Sequence, residues 1–546
     1  MIHAKDWFKD LVIYQIYPRS FQDSNGDGIG DLEGIRRRLD YLSDLGVNAV
    51  WLSPVYASPN VDNGYDISDY RAIMPEFGTM EDWDRLASEC HCRGIAVIMD
   101  LVLNHSSDQH AWFRASSQSR TGPYSDYYIW RDPNPDGTPP NQWKAVFGGS
   151  AWEYVPARGQ YYLHLFAKQQ PDLNWDNPSV REEIYDIIRW WVDKGVDGFR
   201  VDAISYLDKG LSKTEPSDRR IGTAACVNLP GTHRYIHEMI QATCAPEHLM
   251  TVGEVNCNVL SDYSDYTAAA RGEFSMAIPF VTPEEEIRTW SPAEMRRTIN
   301  ETYEELRTKD GWWARFLSNH DKPRQVSLYG DDTQYWAESA KMLAALLHTL
   351  PGTPFIYQGE EIGMTNVRYA AISDYQDIES QNQYRELLEQ GAAPEEALRH
   401  VQMVSRDNAR TPMQWDASEN AGFTTGVQWL ALNENYPTRN VAAQKDSSSI
   451  LSFYKSLIRL RKENPILIHG DYQPLFEDQE PLIAYTRTYQ GITWAALHNF
   501  GRERRALNLS QAQLRGTVLL SNYGRSGAVS ETIFLEPYET LLISAP

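Results

Sequence analysis

The sequence predicts an α/β protein: a (β/α)8 (TIM) barrel with a loop-rich lobe inserted after its third strand and an all-β domain at its C-terminal end. Eight short runs rich in β-branched and aromatic residues, each closing on polar residues, recur at 11–14, 49–52, 96–100, 198–202, 249–254, 274–278, 314–321 and 354–360. Amphipathic helical patterns lie between them, and strands alternating with helices read as βα units on a parallel sheet. No Gly-x-Gly-x-x-Gly follows the first run, which removes the usual reason to prefer an open dinucleotide-binding sheet.

The helical patterns supply their own stops. Ile35, Leu39 and Leu42 share one face before Gly46, and Val180, Ile184, Ile187, Ile188 and Trp191 share another before Gly195, where a C-cap glycine belongs. Two stretches break the alternation. Residues 105–174 are rich in Trp, Tyr, Gly and Pro and show no clear helical period, so they are read as the inserted lobe; residues 365–410, after strand eight, are a long polar, partly helical excursion, and loops of that length in a compact barrel are usually functional. A last helix carrying Ile450, Tyr454 and Leu457 ends before Asn464-Pro465, and beyond it short alternating runs such as 482–485 and 492–497 predict strands. The barrel is therefore assigned to residues 1–104 and 175–465, the lobe to 105–174 and a β-sandwich domain to 466–546.

Composition bounds the function. With 546 residues, 42% hydrophobic and 23% charged, the chain has the make-up of an ordinary folded protein. Lys and Arg number 51 against 74 Asp and Glu, a formal net charge of −23, and such a surface repels polyanions. Nucleic acid and anionic membranes are excluded as partners. Five cysteines (Cys90, Cys92, Cys226, Cys244 and Cys257) are too few for a disulfide framework, and Cys90-His91-Cys92 lacks the spacing of a zinc knuckle, so reduced, mostly buried thiols are expected. The first residues show no basic segment followed by an apolar one, and a cytoplasmic protein is expected. Aromatic residues, at 12%, suit a neutral ligand with apolar faces, such as a sugar.

Barrel chemistry resides at the C-terminal ends of the strands. Three of those ends carry carboxylates: Asp202 on strand four, Glu254 on strand five and Asp321 on strand seven. A single acid there reads equally well as a strand cap or an ion-pair partner, but three in one mouth are costly without a task. Arg200, two residues before Asp202 and on the same strand face, would keep it ionised, while His105 and His320 stand beside strand ends as donors to neutral hydroxyls. Two carboxyl groups with a hydroxyl-binding rim point to glycoside hydrolysis.

The chain resembles the α-amylase superfamily of glycoside hydrolases (glycoside hydrolase family 13), and within it the branch of oligo-1,6-glucosidases, dextran glucosidases and α-glucosidases. The resemblance spans essentially the whole length: residues 12–21, Asp100-Leu101-Val102-Leu103-Asn104-His105, Gly198-Phe199-Arg200-Val201-Asp202-Ala203, Gly253-Glu254 and Ser318-Asn319-His320-Asp321, with Gln170-Pro171-Asp172-Leu173-Asn174 marking the branch. It implies that Asp202 is the nucleophile, Glu254 the general acid/base and Asp321 the carboxylate gripping ring hydroxyls. His105, Arg200 and His320 would line the glucose subsite, Asp62 and Arg410 would close over the terminal 4-hydroxyl, and Tyr65 would be the stacking platform. Ala203 would face the leaving-group sugar, where a small residue favours α-1,4 or sucrose-type bonds over α-1,6.

The run 23–31 spaces oxygen ligands at alternate positions with glycine at the sixth, as in a calcium loop, yet Gly34 stands where an EF-hand needs its glutamate. The EF-hand reading fails; the resemblance implies a structural Ca2+ held by Asp23, Asn25, Asp27, Asp31 and the Ile29 carbonyl, and no organic cofactor. A retaining exo-acting α-glucosidase on short oligosaccharides is the expected function. The alternatives are an α-1,6-specific hydrolase, a sucrose or maltose isomerase or transglucosylase, and a non-enzymatic sugar-binding relative, which would lack part of the acidic trio.

Overall fold

The computed structural model describes residues 3–211, 226–256, 259–280 and 283–545; Cys257 lies outside the described residues. Eight strands form the principal sheet: β1 (Ile13–Ile16), β2 (Ala49–Leu52), β3 (Ala96–Val102), β4 (Gly198–Asp202), β5 (Met250–Asn256), β6 (Met276–Phe280), β7 (Ala314–Arg315) and β8 (Thr353–Tyr357). Their order is β6-β5-β4-β3-β2-β1-β8-β7, so sequence neighbours stand side by side except β6 and β7, which end the order. The first strand pairs in parallel with the eighth, Ile13 opposite Phe355, which is the pairing a (β/α)8 barrel requires. The fold class predicted from the sequence is the one observed.

The chain divides into two units. The first (Met1–Trp7, Trp51–Phe280 and Lys309–Gly311) carries β3 to β6. Register there sets side chains level with one another: Asp100 lies opposite Arg200, Val102 opposite Asp202, and Val252 opposite Arg200. Two glycines make the close packing possible. A Cβ on Gly198 would come within 2.4 Å of the Met250 carbonyl oxygen, and one on Gly253 within 2.5 Å of the Phe274 ring. The helix Pro178–Asp193 starts on an Asn177 cap with Pro178 in its first turn and buries Val180, Ile184, Ile187, Ile188 and Trp191, the face read from the sequence.

Between β3 and β4 the chain forms three antiparallel strands, Trp130–Arg131, Gln160–Leu163 and Trp152–Val155, in that order. It also forms a helix, Ala111–Gln118, which the sequence does not predict. Its buried residues are Trp112, Phe113, Ser116 and Ser117, so two of the four core-facing positions are serines, and the hydrophobic period is hidden. Trp143, Trp152, Leu163 and Leu165 of this segment pack in one buried cluster with Ala203 and Tyr206, which immediately follow β4.

The second unit (Phe8–Val50, Val281–Thr308 and Trp312–Pro546) carries β1, β7 and β8. The expected strand 314–321 is cut short at Arg315. The Asn319 side-chain oxygen accepts the N–H of Asp321 at 2.9 Å, a local bond that turns the backbone away from the sheet. The polar excursion after β8 contains the helices Ile378–Glu389 and Pro394–Val404, and the last barrel helix, Ile450–Glu463, buries Ile450, Tyr454 and Leu457. The C-terminal residues form a six-stranded antiparallel sheet around Leu482, Ala484, Ala495, Leu497, Leu541 and Ile543. Among the described residues no helix is long and apolar enough to cross a membrane. Cys90, Cys226 and Cys244 are buried free thiols, and Cys92 is exposed.

Candidate active site

In the first unit, one guanidinium organises three carboxylates. Arg200, 1% exposed, donates from Nη1 to Asp202 Oδ1 at 2.7 Å and to Asp100 Oδ1 at 2.9 Å, while its Nη2 lies 2.6 Å from Glu254 Oε1. Asp202 ends β4 and Glu254 lies two residues before the end of β5, so adjacent strands present both acids at one level. The other Glu254 oxygen accepts the N–H of Ala203 at 3.1 Å. Ala203 is held in the left-handed region, φ 45°, which aims that amide at the carboxylate; a non-glycine residue there stores strain of the kind found at functional sites.

Asp100 is the member of this cluster to which the sequence alone assigns no role. Its Oδ2 accepts from the Trp51 indole and the Tyr65 hydroxyl, so it anchors the expected sugar platform as well as Arg200. Burial pushes its carboxyl up to about 6; Arg200 and the Tyr65 hydroxyl pull it down, and the neighbouring Glu254 charge pushes it up again. The signal for it is its place at a strand end, facing Arg200 in register across two strands.

His105 sits at the end of the β3 segment, fully enclosed, and burial holds its imidazole below the ordinary value. Its Nε2 lies 3.1 Å from both the Tyr65 carbonyl oxygen and the Gln170 side-chain nitrogen, and its Nδ1 lies 3.2 Å from the Asn104 side-chain nitrogen. Gln170, from the branch-marking motif, donates to Asp62 Oδ2 at 3.1 Å and to the Tyr65 carbonyl at 3.3 Å. Two residues on, Asp172 pairs with buried Lys209 at 2.6 Å, and Lys209 also donates to Asn104 and to the Tyr206 carbonyl. The motif thus ties the inserted lobe to the β3 end and to the loop after β4. The Phe166 ring, which carries no signal in the sequence, stands between those of His105 and Tyr206, at 5.1 and 5.9 Å.

The second unit carries His320, Asp321 and Arg410. Gln15 donates to His320 Nδ1 at 2.8 Å, which leaves Nε2–H to face Asp321 Oδ2 at 3.0 Å. Arg410 donates from Nη2 to Asp321 Oδ1 at 2.7 Å and from Nε to the His320 carbonyl at 3.0 Å. Arg406, not among the residues singled out in the sequence, reaches to 3.5 Å from Asp321 and is the more exposed of the two arginines, 10% against 1%. The spacing Arg-x-x-x-Arg is its signal, because two guanidinium groups four apart on a helical turn share a face.

The loop 23–31 belongs to the second unit. Asp23 accepts from the N–H groups of Asn25, Gly26 and Gly28 and from the Thr424 hydroxyl, and Asp31 accepts from Ser24 and caps the helix Leu32–Arg37 through Gly34 N–H. Burial raises the Asp23 carboxyl but these donors outweigh it and hold it below its ordinary value; burial, assisted by the Asp23 charge, leaves Asp31 above. The side-chain oxygens of Asn25 and Asp27 likewise accept the N–H groups of Asp27 and Ile29, both at 2.9 Å, so the loop's own turns hold its four polar side chains. Among the described residues no three His, Cys, Asp or Glu side chains converge as a metal-holding group.

Known proteins match this chain along nearly its whole length. The family description "Alpha amylase, catalytic domain" matches residues 15–470. The chain is 49% identical over 551 residues to an oligo-1,6-glucosidase of Parageobacillus thermoglucosidasius, covering 98% of both, and 43% identical over 552 residues to a trehalose-6-phosphate hydrolase of Escherichia coli, covering 99% of both. It superposes with a TM-score of 0.95 on the crystal structure of an isomaltulose synthase from a Klebsiella species, 40% identical, covering 100% of each chain.

Proposed function

The chain belongs to the α-amylase family, glycoside hydrolase family 13, and from that premise we propose that it is a retaining, exo-acting α-glucosidase releasing glucose from the non-reducing end of short oligosaccharides. The observation that carries this reading is the pair of carboxylates, Asp202 and Glu254, held by the two terminal nitrogens of one buried guanidinium. Asp202 attacks the anomeric carbon as Glu254 protonates the departing glycosidic oxygen; Glu254 then takes a proton from the water that releases the sugar. Two inversions give net retention. Arg200 sets a positive charge beside Asp202, and the Ala203 amide and Arg200 fix the Glu254 carboxyl for proton transfer. We assign hydroxyl-binding roles to His320, Asp321 and Arg410 of the second unit, and sugar-binding roles to Asp62, Tyr65 and His105 of the first.

For linkage we favour α-1,4 and sucrose-type bonds over α-1,6. Ala203, 4% exposed, packs with Tyr206 and Trp152 directly after the nucleophile, and its single methyl leaves room beside the leaving group. Relatives described as oligo-1,6-glucosidases support the other linkage, and an isomaltulose synthase supports transfer of the glucosyl group in place of hydrolysis. A wall of one or two methyl groups is worth about 1–3 kcal/mol, a preference of roughly 10- to 200-fold. We expect kcat/KM for maltose and sucrose to exceed that for isomaltose, with glucose as the released product by sugar chromatography. In Ala203→Val the ratio should move toward isomaltose, and Tm should fall because valine is strained at positive φ. A wild-type preference for isomaltose that the valine leaves unmoved rules out this wall as the selector.

We further propose that Asp23, Asn25, Asp27, Asp31 and the Ile29 carbonyl take a structural Ca2+. The donor set is all oxygen, and two buried carboxylates in one loop gain from a cation between them. Added CaCl2 should raise Tm after EDTA treatment, and Asp27→Ala should abolish the rise; equal melting with and without calcium would remove the site. The free buried thiols are consistent with a cytoplasmic enzyme.

A further inference from the structure

The excursion after β8 holds a buried acid that this mechanism does not use. Asp377, 1% exposed, accepts from Arg406 Nε at 2.9 Å and Nη2 at 2.6 Å through the same oxygen. Its other oxygen caps the helix Ile378–Glu389, accepting from the Ser380 N–H and, at 2.7 Å, from the Ser380 hydroxyl. Its own N–H, with that of Gln376, donates to Asp407 Oδ2 at 3.0 and 2.7 Å. Asp377 is therefore fixed by backbone and helix before it meets any arginine. Arg406 in turn approaches three acids: Asp377 within hydrogen-bonding distance, Glu379 at 3.3 Å and Asp321 at 3.5 Å.

We propose that Asp377 is a positioning residue that holds the Arg406 guanidinium short of Asp321, so that the Asp321 carboxylate is kept for sugar hydroxyls. This rests on the α-glucosidase reading for the role of Asp321. Arg410 already occupies Asp321 Oδ1 at 2.7 Å, and Arg406 stops beyond direct hydrogen-bond reach of the same oxygen. A guanidinium between two carboxylates leans toward the one it hydrogen-bonds. Removing the Asp377 charge shifts that balance, and Arg406 closes on Asp321 as a second cation competing with the sugar. Burial works against the Asp377 charge, but Arg406 and Arg410 outweigh it and hold the carboxyl at about 2, so the restraint is in force across the whole working pH range.

Asp377→Asn separates this role from a structural one, because asparagine caps a helix as well as aspartate does. We expect KM for p-nitrophenyl α-glucoside and the Kd for glucose each to rise about tenfold, with kcat within threefold and Tm within about 2 °C of wild type. In an Arg406→Gln background Asp377→Asn should add nothing. Unchanged KM and glucose Kd in the single variant overturn the proposal, as does a rise that persists without Arg406. If Asp377→Asn melts early, the comparison of Arg406→Gln with the double variant still decides it. A wild type that does not cleave the glucoside brings down the functional reading instead, and the glucose Kd values then decide the role of Asp377.

Discussion

Asp202→Asn should abolish turnover, by about 10^4-fold or more, since no other group can form the covalent intermediate. Glu254→Gln should lose about 10^2–10^4-fold on maltose, whose leaving oxygen needs a proton. With p-nitrophenyl α-glucoside the loss should be smaller in the first step, because nitrophenolate departs unprotonated, and release of the glucosyl group becomes limiting. Azide, which needs no general base, should then rescue Glu254→Gln and give α-glucosyl azide, the product of attack on a β-linked intermediate. Proton NMR of the wild-type reaction should show α-glucose first. Both variants should keep a native circular dichroism spectrum, as Arg200 retains two carboxylate partners in each. Near wild-type turnover by either variant, or β-glucose as the first anomer, would remove Asp202 and Glu254 from these roles.

What the sequence shows and what it hides divide along physical lines. Strand ends are legible because a barrel places functional side chains where β-branched runs stop, so Asp202 and Glu254 stand out from the residue pattern alone. The face of the helix Pro178–Asp193 is legible for a similar reason, five large apolar residues at helical spacing. The helix Ala111–Gln118 is not, since its inner face combines tryptophan and phenylalanine with two serines. Arg406 and Asp377 are hidden differently. Both lie in the polar excursion, where the sequence shows many charges and no period, and only three-dimensional pairing tells a structural charge from a solvated one. Asp100 lies in plain view at a strand end, yet its weight comes from lying level with Arg200, a register that no single strand reveals.

That register makes Arg200 the residue whose loss should reach furthest. One positive charge, 1% exposed, faces Asp100, Asp202 and Glu254, all of them buried. Removing one partner of a buried ion pair costs about 3–5 kcal/mol, because the charge left behind is neither solvated nor paired. Arg200→Gln should therefore lower stability by an amount of that order and turnover by about 10^3-fold or more, since Glu254 loses an anchor and Asp202 a counter-charge. Arg200→Lys should fall between, because an ammonium is a point charge that cannot present two nitrogens to carboxylates on adjacent strands. The stability loss should depend on pH with a definite sign. Burial already raises Asp100 to about 6 with Arg200 in place, and without the guanidinium it rises further above the unfolded value of about 3.9. A carboxyl raised on folding binds its proton more tightly in the native state, so its contribution is whole below about pH 4 and is lost as pH rises through the folded value. The Tm deficit of Arg200→Gln should be smallest near pH 5 and largest near pH 8. A deficit that is equal at both, or a variant that melts with the wild type, would mean that these carboxylates are balanced by some other cation.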